Sequence, residues 1–199
     1  MRRGILGGTF DPIHTAHLIL AQEALWQLGL DEIWFVPTGK PWMKHAQRLT
    51  NQRHRKAMVE LAIEGNDRFK IHTLEMDRPG DTYTVDTLEE LRAGEMRDDE
   101  VLFIMGVDAL NSMHQWKSPK RILELAQLVV ALRPGHGALD LGLLEAIDPM
   151  IGECLITVDM PLIDINGTDV RRRVALGESY RYLVPKAVGE YIKMNGLYR

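Results

Sequence analysis

Short apolar-rich runs recur along the chain at Arg3-Leu6, Ile33-Val36, Lys70-Leu74, Val101-Met105, Leu128-Leu132 and Leu155-Val158. Most are apolar at consecutive positions rather than alternate ones and rich in Val and Ile, which predicts strands covered on both faces. Longer stretches of helical spacing lie between them. Leu18, Ala21, Leu25 and Leu28 form one stripe, stopped by Gly29. Met58, Leu61 and Ala62 form another before Gly65-Asn66, and Val85, Leu88 and Leu91 a third, running from Thr84 to about Gly94. Each has a glycine where a helix would stop.

Strand and helix alternate through most of the sequence. The pattern predicts an α/β fold, a doubly wound and mainly parallel sheet with helices on both faces and right-handed crossovers. The last part departs from alternation. Thr168-Leu176 and Pro185-Met194 read as consecutive helices with a turn near Ser179-Tyr182, giving a helical C-terminal part over about 160–199 within a single domain, 1–199. Ligands of such sheets sit at the carboxyl ends of the strands, so the loops that follow the strands are where chemistry is expected.

Composition narrows the class. The chain has 199 residues, 45% of them apolar and 26% charged, the balance of a soluble globular protein and not of a disordered, collagenous or disulfide-framed one. Its one cysteine, Cys154, sits in the apolar stretch Glu153-Ile156 and is expected in the core. A lone cysteine makes no internal disulfide, which points to a reducing, cytoplasmic setting. No apolar run approaches the roughly 20 residues that cross a bilayer, so no membrane is expected.

The net charge of −4 conceals an uneven distribution. Six Lys and Arg (Lys40, Lys44, Arg48, Arg53, Arg55, Lys56) and no acid fall between Pro37 and Val59, and Arg171-Arg172-Arg173 follow near the end. Local basic clusters on an acidic chain suit a small anionic ligand better than nucleic acid, which needs an extended basic face. Two solvated helix faces are the bland alternative.

The loop after the first strand reads Gly7-Gly8-Thr9-Phe10-Asp11-Pro12-Ile13-His14-Thr15-Ala16-His17. Glycines let backbone approach a ligand, and a helix starting near His14 offers free amides and its positive end. Spaced three apart, His14 and His17 share one side of the first turn and can donate to phosphate oxygens. A zinc site would lack its third protein ligand, and a structural turn with incidental histidines is the remaining alternative. The loop is neither a Walker A motif nor the Gly-x-Gly-x-x-Gly dinucleotide pattern.

This loop resembles the nucleotidyltransferase signature Gly-x-Phe-Asp-Pro followed by His-x-Gly-His, with Ala16 in place of the glycine, where its methyl would crowd the nucleotide slightly. Ile165-Asn166-Gly167-Thr168-Asp169-Val170-Arg171 resembles the second signature of that superfamily, Ile-Ser-Ser-Thr-x-Ile-Arg, with Thr168 at the expected N-cap and Asn166-Gly167 replacing the serines. Three further segments are similar to bacterial nicotinate-nucleotide adenylyltransferases: Val36-Lys44, in which Trp42 and Met43 replace the usual proline and histidine, Arg78-Leu88, and Phe103-Asp108 with Trp116 beyond it. The ending Gly196-Leu197-Tyr198-Arg199 is also typical.

The resemblance implies a Rossmann-like fold and transfer of AMP from ATP to nicotinate mononucleotide, giving deamido-NAD and pyrophosphate. It implies catalytic roles for His14, His17, Lys44 and Arg171. ATP would be bound by Gly7, Gly8, Thr9, Phe10, His14, His17, Gly106, Asp108, Ile165, Thr168 and Arg171. The mononucleotide would be bound by Thr9, Phe10, Lys44, Tyr83, Thr84 and Trp116, and Trp42 is a further candidate for stacking. Mg²⁺ would be held mostly by ATP phosphates and water, with no protein metal site. The partners implied are these small molecules, with no nucleic acid and no membrane; a homo-oligomer is compatible with the sequence. The nearest rival is another adenylyltransferase or cytidylyltransferase of the superfamily, such as one acting on phosphopantetheine; a rival of a different class is a non-catalytic nucleotide-binding regulator, and a DNA-binding role gets little support from the acidic chain.

Overall fold

The computed structural model describes residues 1–44, 49–132 and 141–199, apart from the side chains of Lys44, Leu141 and Leu143. Six strands, β1 (Arg2–Gly8), β2 (Glu32–Pro37), β3 (Phe69–Ile71), β4 (Glu100–Gly106), β5 (Gln127–Leu132) and β6 (Ile156–Asp159), form one sheet in the order β3-β2-β1-β4-β5-β6. Every pairing is parallel. The order reverses direction between β1 and β4, which opens a crevice at the carboxyl ends of those two strands.

Helices α1 (Thr15–Gln27), α2 (Gln52–Ile63), α3 (Leu74–Asp77), α4 (Thr84–Ala93), α5 (Val107–Asn111), α6 (Pro119–Leu125), α7 (Leu141–Glu145), α8 (Ile151–Cys154), α9 (Gly167–Leu176) and α10 (Lys186–Met194) surround the sheet. The pleat sorts consecutive apolar residues to opposite faces. Leu6, Phe35, Ile104 and Val129 pack with residues of α1, α2, α9 and α10, while Ile5, Val36, Phe103 and Val130 pack with residues of α4 and α6. The runs read as strands are thus apolar twice over because both faces are covered.

Three expectations are corrected. The third strand ends at Ile71, and Leu74 opens α3 instead. In α1 the buried positions are Ala16, Leu20, Ala21, Ala24 and Leu25, whereas Leu18 and Leu28 are only partly covered; small alanines let this helix lie close to the sheet. Cys154 is exposed at the end of the short α8, not in the core. Among the described residues no helix is long and apolar enough to cross a membrane.

Candidate active site

Strand β1 delivers the glycine loop to the crevice. His14 is the N-cap of α1, and its backbone N–H donates to Nδ1 of His17 at 3.2 Å. An amide can only donate, so Nδ1 of His17 is an acceptor and the ring proton of the neutral imidazole lies on Nε2. The two imidazoles stack at 3.7 Å, and the Phe10 ring meets His17 edge-on at 5.0 Å. Phe10 has φ of 46° and its ring is buried, so the turn aims the side chain into the core and leaves its backbone at the crevice. One expected donor is already used: the Thr15 amide bonds the Leu183 carbonyl at 2.9 Å. Imidazoles, more than this helix terminus, therefore front the cleft.

Helix α9 brings the distant signature to the same place. Its N-cap is Asn166, whose side chain accepts from the Asp169 amide at 2.9 Å, so Thr168 is the second helical residue and not the cap. Gly167 sits so close to the first loop that a Cβ there would lie 3.0 Å from the Asp11 carbonyl oxygen. The replacement of the serines thus supplies a cap and a close approach. Arg171, one turn on, donates to the Asp11 carbonyl at 2.6 Å and to the Thr168 hydroxyl at 3.3 Å. A polar cleft of about 610 Å³ results, with Thr9, His14, His17, Gly167, Thr168 and Arg171 in its walls.

A second cavity of about 250 Å³ adjoins it, walled by Gly7, Gly8 and Thr9, by Phe103 and Trp116, and by Trp42, Glu75 and Thr84. Thr9 lines both. Trp116 meets Phe103 edge-on at 6.3 Å, and its indole N–H donates to the Ser112 hydroxyl at 3.3 Å. Trp42 stacks on Tyr83 at 6.0 Å, and the Lys117 ammonium lies 4.8 Å from the Tyr83 ring while pairing with Asp86.

Buried polar groups missed in the sequence hold these walls. Arg55 is 1% exposed and donates to the carbonyls of Thr50 (3.0 Å), Thr9 (2.8 Å) and Gly39 (3.1 Å), tying the loop after β1 to the loop after β2. Burial pushes its guanidinium below its ordinary value, against the pull of Asp11, Tyr198 and Glu75. The Asp11 carboxylate accepts from the Tyr198 hydroxyl at 2.6 Å and the Thr50 amide at 3.0 Å. Burial, followed by Asp11, raises the Tyr198 phenol well above its ordinary range. A Cβ on Gly39 would fall 2.0 Å from the Glu75 carbonyl oxygen, so that backbone contact requires glycine.

The basic clusters disperse. Arg55 is buried, Lys40 lies 3.6 Å from Asp81, Lys56 lies 3.6 Å from Glu60, and Arg172 and Arg173 both pair with Asp169. Arg171 is the member of its run that lines the cleft. The Lys44 side chain and Arg48 lie outside the described residues.

Other expected site residues stand apart from the two cavities. Gly106 and Asp108 lie at the end of β4 and in the first turn of α5, Ile165 precedes the α9 cap, and none of the three lines either cavity. Tyr83 does not line the second cavity; its ring stacks on Trp42 and its carbonyl accepts from the Thr87 hydroxyl at 3.3 Å, and Trp42 and Thr87 both line it. Ala16 is buried and lines neither, so its methyl narrows neither space. Among the described residues no group of three or more His, Cys, Asp or Glu is placed to hold a metal ion.

Residues 5–173 match the cytidylyltransferase-like family model, so fold and site together define a protein of the nucleotidyltransferase class. The chain is 48% identical over 198 residues to a "Probable nicotinate-nucleotide adenylyltransferase" of Thermomicrobium roseum, covering 100% of this chain and 92% of that protein. It is 43% identical to one of Roseiflexus sp., covering 98% and 97%. The chain belongs to the nicotinate-nucleotide adenylyltransferase family. Its fold is shared with Plasmodium falciparum nicotinic acid mononucleotide adenylyltransferase, solved with APC and with NaAD. Both structures have a TM-score of 0.77 at 20% identity, covering 99% of this chain and 96% or 97% of theirs.

Proposed function

We propose that the protein transfers AMP from ATP to nicotinate mononucleotide, releasing pyrophosphate and forming deamido-NAD, with residues 1–199 acting as one nucleotidyltransferase domain in the cytoplasm. The observation that carries this reading is the pairing of a small aromatic-walled cavity with a cationic, imidazole-lined cleft through the shared residue Thr9. A mononucleotide whose base fills the first presents its phosphate at the second.

The mononucleotide phosphate attacks the α-phosphorus of ATP. A new P–O bond forms as the bond to the β-phosphate breaks, and its electron pair leaves with pyrophosphate. The nucleophile is already an anion, so no general base is needed, and catalysis consists of orientation and charge stabilisation. His17 donates from Nε2–H, with His14 beside it, to the α- and β-phosphate oxygens. Arg171 and Thr168 hold the pyrophosphate end, and Arg171, pinned to the Asp11 carbonyl, is already oriented for it. Lys44 meets the incoming phosphate, and the Gly7-Gly8-Thr9-Phe10 backbone cradles the nucleotide. Gly106, Asp108 and Ile165 serve ATP from outside the two cavities, Asp108 through ribose hydroxyls.

Trp116 stacks on the electron-poor pyridinium ring, and Thr84, with Tyr83 behind Trp42, serves the nicotinate carboxylate. A divalent cation, Mg²⁺ in this reading, fits as part of the nucleotide and not as a resident of the protein. Asp11, the carboxylate in the wall of the polar cleft among the described residues, has its two oxygens engaged by Tyr198 and Thr50. The cation neutralises phosphate charge when bound.

The test mixes the protein with ATP, Mg²⁺ and either nicotinate or nicotinamide mononucleotide and measures pyrophosphate release. Faster release with the acid supports the reading. Release only with phosphopantetheine, or none with any acceptor, refutes it.

A further inference from the structure

Glu75 is the one ionisable side chain among the described residues that line the base cavity, and it is 6% exposed. Its Oε1 accepts from the Thr87 hydroxyl at 2.7 Å, and its backbone carbonyl is pressed against Gly39 of the loop after β2. The charged groups around it are committed elsewhere. On the following loop Arg78 pairs with Glu90 of α4 and also donates to the Thr87 hydroxyl at 3.2 Å. Lys40, on the loop after β2, lies 3.6 Å from Asp81, and Lys117 pairs with Asp86 of α4. Arg55 of α2 spends its guanidinium on three carbonyls. Among the described residues no ion pair includes Glu75.

We propose that Glu75 is a specificity-determining group: it carries a proton when the acid form of the mononucleotide binds, so the cavity accepts a base carboxylate without bringing two negative charges together. The inference rests on the function given above and adds a rule for choosing acid over amide. Burial pushes the Glu75 carboxyl up from the ordinary carboxylate range, opposed by Thr87, Thr82, Arg78 and Arg55. A bound carboxylate in the same cavity pushes it further in that direction, since like charges disfavour ionisation. Binding the acid therefore takes up a proton, and binding the amide does not. The two mononucleotides share the same phosphate, whose own titration cancels in their ratio.

The experiment measures kcat/KM for nicotinate and for nicotinamide mononucleotide from about pH 5.5 to 9, in wild type and Glu75→Gln. The amide is used as a competing inhibitor wherever its turnover is too slow to follow. The wild-type preference for the acid is expected to fall with rising pH, at a limiting slope of about tenfold per unit for one coupled proton. Glutamine copies the protonated form, so the variant's preference stays flat at the low-pH level. Calorimetry in buffers of different ionisation enthalpy is expected to show wild type taking up protons with the acid and not with the amide, a measurement that needs no variant. A pH-independent wild-type preference, no proton uptake, or a folded Glu75→Gln variant that follows the wild-type curve overturns the inference. Absence of pyrophosphate release with either mononucleotide would instead remove the function on which it rests.

Discussion

Replacing Arg55 by methionine tests whether one buried guanidinium joins the two walls of the site. Methionine keeps the length of the stem and supplies no donor. Three carbonyl oxygens, on Thr9, Thr50 and Gly39, lose partners at 2.8 to 3.1 Å. An unsatisfied buried acceptor costs about 1–3 kcal/mol, which would sum to roughly 3–9 kcal/mol for three. Thr9 borders both cavities and Thr50 is only half-buried, so water reaches part of the set. Removing the cost of desolvating the charge offsets a further part. A net loss of about 3–5 kcal/mol follows, a large share of the roughly 5–15 kcal/mol typical of a folded domain. Urea unfolding measures it directly, and a melting temperature lowered by about 10 °C is the thermal counterpart. Arg55→Lys should recover only a fraction, because one ammonium cannot serve three carbonyls from three loops. A loss below about 1 kcal/mol for Arg55→Met, or full recovery by lysine, would refute the reasoning.

Other substitutions probe other links. His17→Ala should reduce turnover by about 100-fold or more with an unaltered circular dichroism spectrum, and normal turnover would show that the imidazole is not a phosphate donor. Gly39→Ala forces a methyl to within 2.0 Å of a backbone oxygen, so the loop carrying Trp42 must move; a stability loss of about 1–3 kcal/mol with a raised KM for the mononucleotide is expected in steady-state kinetics. Tyr198→Phe removes a buried hydrogen bond to the Asp11 carboxylate and should cost about 1.5–3 kcal/mol near neutral pH. The folded phenol titrates above its unfolded value, so this stability is complete below about pH 10 and lost as the pH rises beyond it. Denaturation curves of the variant and wild type should therefore converge in alkali.

The sequence by itself determined the sheet. Its central strands are covered on both faces, so Phe35 and Val36, or Ile104 and Met105, had to be apolar in succession, and that signal survives in one dimension. It also contained both signature loops, since glycines and paired histidines at fixed spacing are local features. It did not show which face of α1 is buried, because Leu18, Ala21, Leu25 and Leu28 make as good a stripe as the face built on Ala16, Leu20, Ala21, Ala24 and Leu25 that packs. Nor did it separate cations with different fates. Arg55 reads as one more charge in a basic run, and only the meeting of three loops around it makes it structural. The partnership of Asp11 with Tyr198, 187 residues apart, and the burial of Glu75 in a cavity wall with Thr87 as its hydrogen-bond donor were likewise decided in three dimensions. Spacing along a chain encodes which groups share a turn, a strand or a helix face. Burial and pairing depend on which distant segments the sheet brings together, and those set the charge and orientation of the groups that do the chemistry.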